Sequence, residues 1–113
     1  LMINIGDSVY TTLNYAGGQS TGKVTYHADA FEFIPNSMDN LTKGLAAKSK
    51  RQVCSFDYRD VTFMKKGGFL FFKVITMKVK AEDGTIEQLG LFTRQVNNVY
   101  EFLKTKVPAD AVR

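Results

Sequence analysis

Cysteine is nearly missing from this chain: Cys54 is the single one in 113 residues. No internal disulfide is therefore available, and one thiol in a strand-like run points to a reducing compartment and a buried, inert side chain. With no histidine beside it in sequence to act as base, Cys54 lacks what a thiol nucleophile needs. Tryptophan is absent and His27 is the one histidine. A lone His on the polar side of a strand, without cysteines or a second His nearby, lacks the ligands of a metal site. Long apolar runs are missing too. The longest block, Phe69 to Phe72, ends at Lys73, far short of the ~20 residues of a membrane-spanning helix. The opening Leu1-Met2-Ile3-Asn4-Ile5 is too short for the apolar core of a signal peptide. Charge is only mildly one-sided, at +4 with pI ≈ 9.2. That gives weak attraction to anionic surfaces (lipid headgroups, nucleic acid or acidic proteins) without choosing among them.

What is present is an ordinary folding composition: 44% hydrophobic and 12% aromatic, nine of the aromatics being Phe. The length accommodates one domain, residues 1–113, able to bury roughly two thirds of its unfolded surface. Ser8 to Tyr15 is rich in Thr, Tyr and Val and predicts a strand. Ala16 to Gly22 carries three glycines and predicts a turn. From Lys23, alternation places Val24, Tyr26 and Ala28 on one face and Lys23, Thr25 and His27 on the other, a half-buried antiparallel strand. Phe31 to Pro35 predicts the next strand, closed by a proline that cannot donate a ladder bond. Asn36 to Lys50 is polar and basic without strand period, and predicts a mobile basic loop.

Gln52 to Tyr58 resumes strand character, with Cys54, Phe56 and Tyr58 on one face. Val61 to Met64 predicts a short strand that Lys65-Lys66-Gly67-Gly68 breaks. Phe69 to Ala81 places Phe69, Phe71, Ile75, Met77, Val79 and Ala81 on one side and Lys78 and Lys80 on the other. Lys73 interrupts the apolar side and predicts a bulge or bend there; Gly90 marks a candidate second bulge. Glu82-Asp83-Gly84 is a hairpin signal, and Thr85 to Phe92 pairs back. A helix is predicted from about Thr93, its N-cap, to Lys106, with Val96, Val99, Tyr100 and Leu103 forming one buried stripe and Pro108 stopping it.

Strands first and one amphipathic helix last predict a mainly β protein: a β-barrel or bent sandwich of about seven antiparallel strands, capped by the C-terminal α-helix. The blocks Gly22-Lys-Val, Phe31-Glu-Phe-Ile-Pro35, Phe56-Asp-Tyr-Arg-Asp-Val61 and Ile75-Thr-Met-Lys-Val-Lys-Ala-Glu-Asp-Gly84, followed by a closing helix, resemble the pleckstrin-homology-like superfamily. The similarity is greatest to its GRAM-type and bacterial PH-like branches and covers roughly residues 8 to 107. It implies a seven-stranded bent barrel with a helix over one end, acting as a binding module. A narrower resemblance, through Phe31-Glu-Phe and the tail Val107-Pro-Ala-Asp to Val112-Arg113, is to PH-like bacterial proteins encoded beside mannose-type phosphotransferase components.

Phosphoinositide-binding members carry a basic cluster around the first hairpin. Here only Lys23 is basic there, which argues against a stereospecific inositol-phosphate pocket. The candidate contacts to an anionic surface are Lys43, Lys48, Lys50 and Arg51 in the loop and Lys65 and Lys66 in the turn. Lys65-Lys66-Gly67-Gly68 lacks the frame of a phosphate loop. Asp57 and Asp60 read as turn-stabilising residues more readily than as an acid/base pair. With no constellation for catalysis, and no cofactor or metal implied, the chain reads as a non-catalytic module. It binds a protein partner or associates weakly with anionic membrane, in the cytoplasm and peripheral to the inner face of the membrane. Two alternatives stay open: a self-assembling, homo-oligomeric module, or an accessory protein of a sugar phosphotransferase operon.

Overall fold

A computed structural model describes residues 2–15, 17–36, 54–69 and 72–113, with only the backbone of Phe69. Seven strands are present among them: β1 (Ser8–Tyr15), β2 (Gly18–Tyr26), β3 (Ala30–Pro35), β4 (Cys54–Asp57), β5 (Val61–Phe69), β6 (Phe72–Lys80) and β7 (Ile86–Phe92). One helix, α1 (Val96–Lys104), follows. All strand pairs are antiparallel, in one sheet ordered β4-β3-β2-β1-β7-β6-β5. The two edges, β4 and β5, are consecutive in sequence and joined by the 3-10 turn Tyr58–Asp60. Four peptide steps reach at most about 14 Å, so the ends that meet there must lie close together. The sheet therefore bends back on itself, and α1 closes it. This is the mainly β architecture that the strand-then-helix order implies.

Alternation sets which side faces in. Val9, Leu13, Val24, Tyr26, Phe31, Phe33, Ile75, Met77, Val79, Leu89 and Leu91 are all buried. On the outer face of β1 and β2, Ser8 lies opposite Thr25 and Thr12 opposite Thr21. Their hydroxyls pair at 2.7 and 3.3 Å, cross-strand contacts that fix the register. Helix α1 buries Val96, Val99, Tyr100 and Leu103, the predicted stripe at i, i+3, i+4 and i+7. From its other side Phe102 reaches an aromatic cluster, 5.5 Å from Tyr26 and 6.2 Å from Tyr58 between ring centroids. Phe31 joins that cluster to Phe56, and Phe56 to Tyr15. The Tyr26 hydroxyl is fully buried and has no hydrogen-bond partner among the described residues.

The structure corrects several predicted boundaries. Gly22 is not in the first turn but inside β2, because the β2–β3 backbones approach so closely that a Cβ there would collide with the Ile34 carbonyl and with Pro35. Lys65-Lys66-Gly67-Gly68 does not break a strand. The ladder runs through it from Phe63↔Lys78 to Phe69↔Phe72, since backbone pairing tolerates polar residues wherever a strand leaves the core. The bulge is at neither Lys73 nor Gly90, both of which pair in register. It falls between Val61 and Phe63. Because one extra residue reverses the in–out parity, Val61 and Met64 both face inward despite their odd spacing. Helix α1 begins at Val96, after Thr93 has accepted a hydrogen bond from the Gln95 amide at 3.2 Å. It ends at Lys104, before Pro108 comes into play. Beyond it a 3-10 turn, Ala109–Ala111, brings Val112 beside Met64 in a parallel bridge, and the Arg113 amide donates to the Met64 carbonyl at 2.9 Å. The tail thus covers part of the free edge of β5. The predicted mobile loop lies outside the described residues except for Asn36, whose amide donates to the Thr21 carbonyl at 2.9 Å.

Candidate functional site: the basic end of the sandwich

Strand β7 is shorter than its neighbours at one end. Its ladder with β1 stops at Thr12↔Phe92 and its ladder with β6 at Ile75↔Leu91. Past Phe92 the chain leaves the sheet toward α1. Tyr10 and Thr11 of β1 and Phe72 and Lys73 of β6 are left on either side of a gap with no strand between them. The gap is a cleft of about 600 Å³, whose wall also includes Phe92, Arg94 and Val96. Phe72 is 68% exposed and Tyr10 59%. They belong to the six exposed large hydrophobic residues among those described, and are the two of that group that line this cleft.

Charge at this end has one sign. In sequence, segments 64–76 and 90–98 contain Lys65, Lys66, Lys73 and Arg94 and no Asp or Glu. Ion pairs among the described residues join His27 to Glu32, Arg59 to Asp57 and Lys104 to Glu101, so none of these four cations has a carboxylate partner there. Strand alternation places Lys65 and Lys66 on opposite faces, and the bulge upstream between Val61 and Phe63 decides which of them faces inward. Lys66 shares the face of Met64 and docks on α1, its ammonium donating to Asn97 Oδ1 at 2.9 Å and lying 5.2 Å from the centroid of the Tyr100 ring. Lys65 is exposed on the opposite face. The two lysines therefore do not form one turn-borne patch. Lys43, Lys48, Lys50 and Arg51 lie outside the described residues. Lys73 marked an expected bulge and was not among the candidate contacts, and Arg94, Tyr10 and Phe72 carried no functional expectation from the sequence. The available signal was an apolar run, Phe69 to Phe72, that ends at a lysine and lies between two glycines and a strand.

The opposite end has a different character. Asp57 at the end of β4 and Asp60 of the 3-10 turn meet Lys80, Glu82 and Glu87 from the β6–β7 hairpin around a second cavity, which Tyr15 and Cys54 also line. The Tyr15 hydroxyl donates to Glu87 Oε2 at 2.7 Å. Burial first, then this bond and the charge of Glu87, push its pKa to about 12. Burial, with Glu87 second, also raises the Cys54 thiol, so the residue is half-buried and held in its unreactive form. Asp83 accepts from the Thr85 amide and hydroxyl at 3.0 and 2.6 Å, which lowers its pKa and closes the hairpin turn. Asp57 contacts Arg59 at 3.7 Å. His27 is exposed and 3.3 Å from Glu32. Among the described residues no three His, Cys, Asp or Glu side chains are placed to hold a metal, and no helix is long and apolar enough to cross a membrane.

These features define a seven-stranded antiparallel β-sandwich closed by a helix, basic at the helix-capped end and acidic at the other. No family model matches the chain, and no curated protein matches it.

Proposed function

We propose that this chain is a non-catalytic binding module of pleckstrin-homology-like type that associates weakly with anionic membrane, peripheral to the inner face and in the cytoplasm. One observation carries the reading: four cations, Lys65, Lys66, Lys73 and Arg94, sit on the elements of one end, with no acidic residue among those elements. Each basic residue near an anionic leaflet contributes on the order of 1 kcal/mol, so a group of this size suffices for salt-sensitive attachment. The basic stretch Lys43 to Arg51 adds charge of the same sign in sequence. Around the first hairpin only Lys23 is basic, which favours screened charge over a pocket selective for one phosphoinositide.

Sedimentation with vesicles across a salt series tests this. Binding is expected to rise with total anionic lipid, to show little preference among phosphoinositide isomers, and to fall steeply once the Debye length drops below about 8 Å. Salt-insensitive, isomer-selective binding would refute it. Self-assembly is the second reading, supported by the edge of β5: Met64 is bridged by the tail, whereas Lys65 to Phe69 pair only with β6 among the described residues. An unpaired edge is a template for another chain, and solution mass that grows with concentration would favour it. A role as accessory to a sugar phosphotransferase rests on the narrower sequence resemblance alone.

A further inference from the structure

We infer that the cleft past the end of β7 is the membrane-contacting site itself: the phosphate of an anionic lipid sits between Lys73 and Arg94 while Phe72 enters the acyl boundary. This rests on the membrane reading above and adds to it a defined lipid seat and an apolar anchor.

The cleft has the shape and the chemistry for this. Its cations come from two different elements, Lys73 from the start of β6 and Arg94 from the link between β7 and α1, and both line one cavity. Neither has a carboxylate partner among the described residues, and the first turn of α1 carries no acidic side chain to compete. Arg94 supplies a planar fork suited to phosphate oxygens, and Lys73 a compact point charge. Thr11 is fully buried and its hydroxyl is committed to the Val9 carbonyl at 2.9 Å, so recognition falls to the cations. Beside them Phe72 stands 68% exposed in a position that no packing requirement explains. Large apolar side chains left in water next to cations mark sites that meet a membrane or a partner. Sequence favours the membrane. The Phe69↔Phe72 pair closes the β5–β6 ladder, and all four residues from Phe69 to Phe72 are apolar, flanked by Lys66 and Lys73. An apolar run between cations matches the order of a bilayer surface, acyl chains beneath anionic headgroups. An acidic peptide would satisfy Lys73 and Arg94 but has no use for the exposed Phe72.

Flotation of the full chain with phosphatidylglycerol–phosphatidylcholine vesicles separates this site from general charge. Lys73→Gln with Arg94→Gln is expected to weaken binding about 25-fold at low salt, two cations at about fivefold each, with the difference shrinking as salt rises. Phe72→Ser is expected to weaken it about tenfold, by a factor that persists at high salt because it is not electrostatic. Lys80→Gln, at the opposite end, is expected to stay within about twofold of the parent. All four positions are exposed, so unchanged thermal unfolding verifies that each variant is folded. If the parent binds and both site variants bind equally well, the lipid seat is wrong while the membrane reading stands. If the parent binds no anionic vesicle even at low salt, both fall. Capture of polyglutamate through Lys73 and Arg94, with vesicles ignored, would overturn the site as a lipid seat in favour of an acidic protein partner.

Discussion

The two ends of the β5–β6–β7 ribbon are made by the same alternation and finish in opposite ways. At the β6–β7 end the acidic residues are tied down: Asp83 caps its own turn and Glu87 accepts from Tyr15. At the β5–β6 end Lys65, Lys73 and Arg94 have no such partners among the described residues, and Phe72 stands in solvent beside a cleft. The first pattern is that of charges used to hold a fold. The second leaves cations and an apolar surface unspent by folding, which is what a recognition surface requires. The gap exists because β7 gives up its ladder at Phe92 so that the chain can turn into α1.

The largest expected effect comes from loosening the helix that frames the basic end. Leu103 is fully buried beneath α1, and Leu103→Ala should cost about 2–5 kcal/mol through lost transfer energy and a cavity. A loss under about 1 kcal/mol in urea unfolding would show that the helix is not what closes the sandwich.

A smaller effect of opposite sign is expected midway between the ends. The buried Tyr26 hydroxyl has no partner among the described residues, and an unsatisfied buried polar group costs about 1–3 kcal/mol. Tyr26→Phe should therefore raise stability by about that amount; a loss of stability would reveal that the hydroxyl is satisfied in solution.

At the acidic end, Tyr15→Phe removes one hydrogen bond to a carboxylate and should cost about 1 kcal/mol at neutral pH. Its pH signature is more specific. The folded chain holds the Tyr15 proton to about pH 12, against 10.0 for an unperturbed tyrosine. Between those values the unfolded state binds fewer protons, so stability falls as pH rises; below pH 10 this contribution is intact. Tyr26 and Tyr58 are raised in the same direction, by burial above all, so Tyr15→Phe should reduce the alkaline loss without abolishing it. An unchanged slope between pH 10 and 12 in urea midpoints would show that Glu87 does not hold Tyr15.

The succession of strands then helix, the hairpin at Asp83-Gly84 and the stripe of α1 were legible in the sequence because each rests on local periodicity or turn chemistry. The bulge at Val61–Phe63 was not, and it decides that Lys66 rather than Lys65 reaches Tyr100. A one-residue slip leaves no local mark, since either parity gives an acceptable strand. Gly22 was misread for a related reason: its small size answers to the backbone of β3, thirteen positions away at Pro35, and not to a turn. Of the basic end, Lys65 and Lys66 were found by composition. Lys73 was read as a bulge rather than a contact and Arg94 was not singled out, because they are twenty-one positions apart in sequence and line one cleft only where β7 stops short. Phe72 fell off the predicted apolar side, which ran through Phe69 and Phe71, and was given no role because nothing local marks the cleft it borders.

Hydrogen exchange with and without anionic vesicles most directly tests whether the two ends differ in function. The account predicts slowed exchange in segments 63–73 and 93–97 when vesicles are present, and no change in segment 80–88 or around Asp57 to Asp60. Equal protection of both ends, or protection confined to the acidic one, would contradict it.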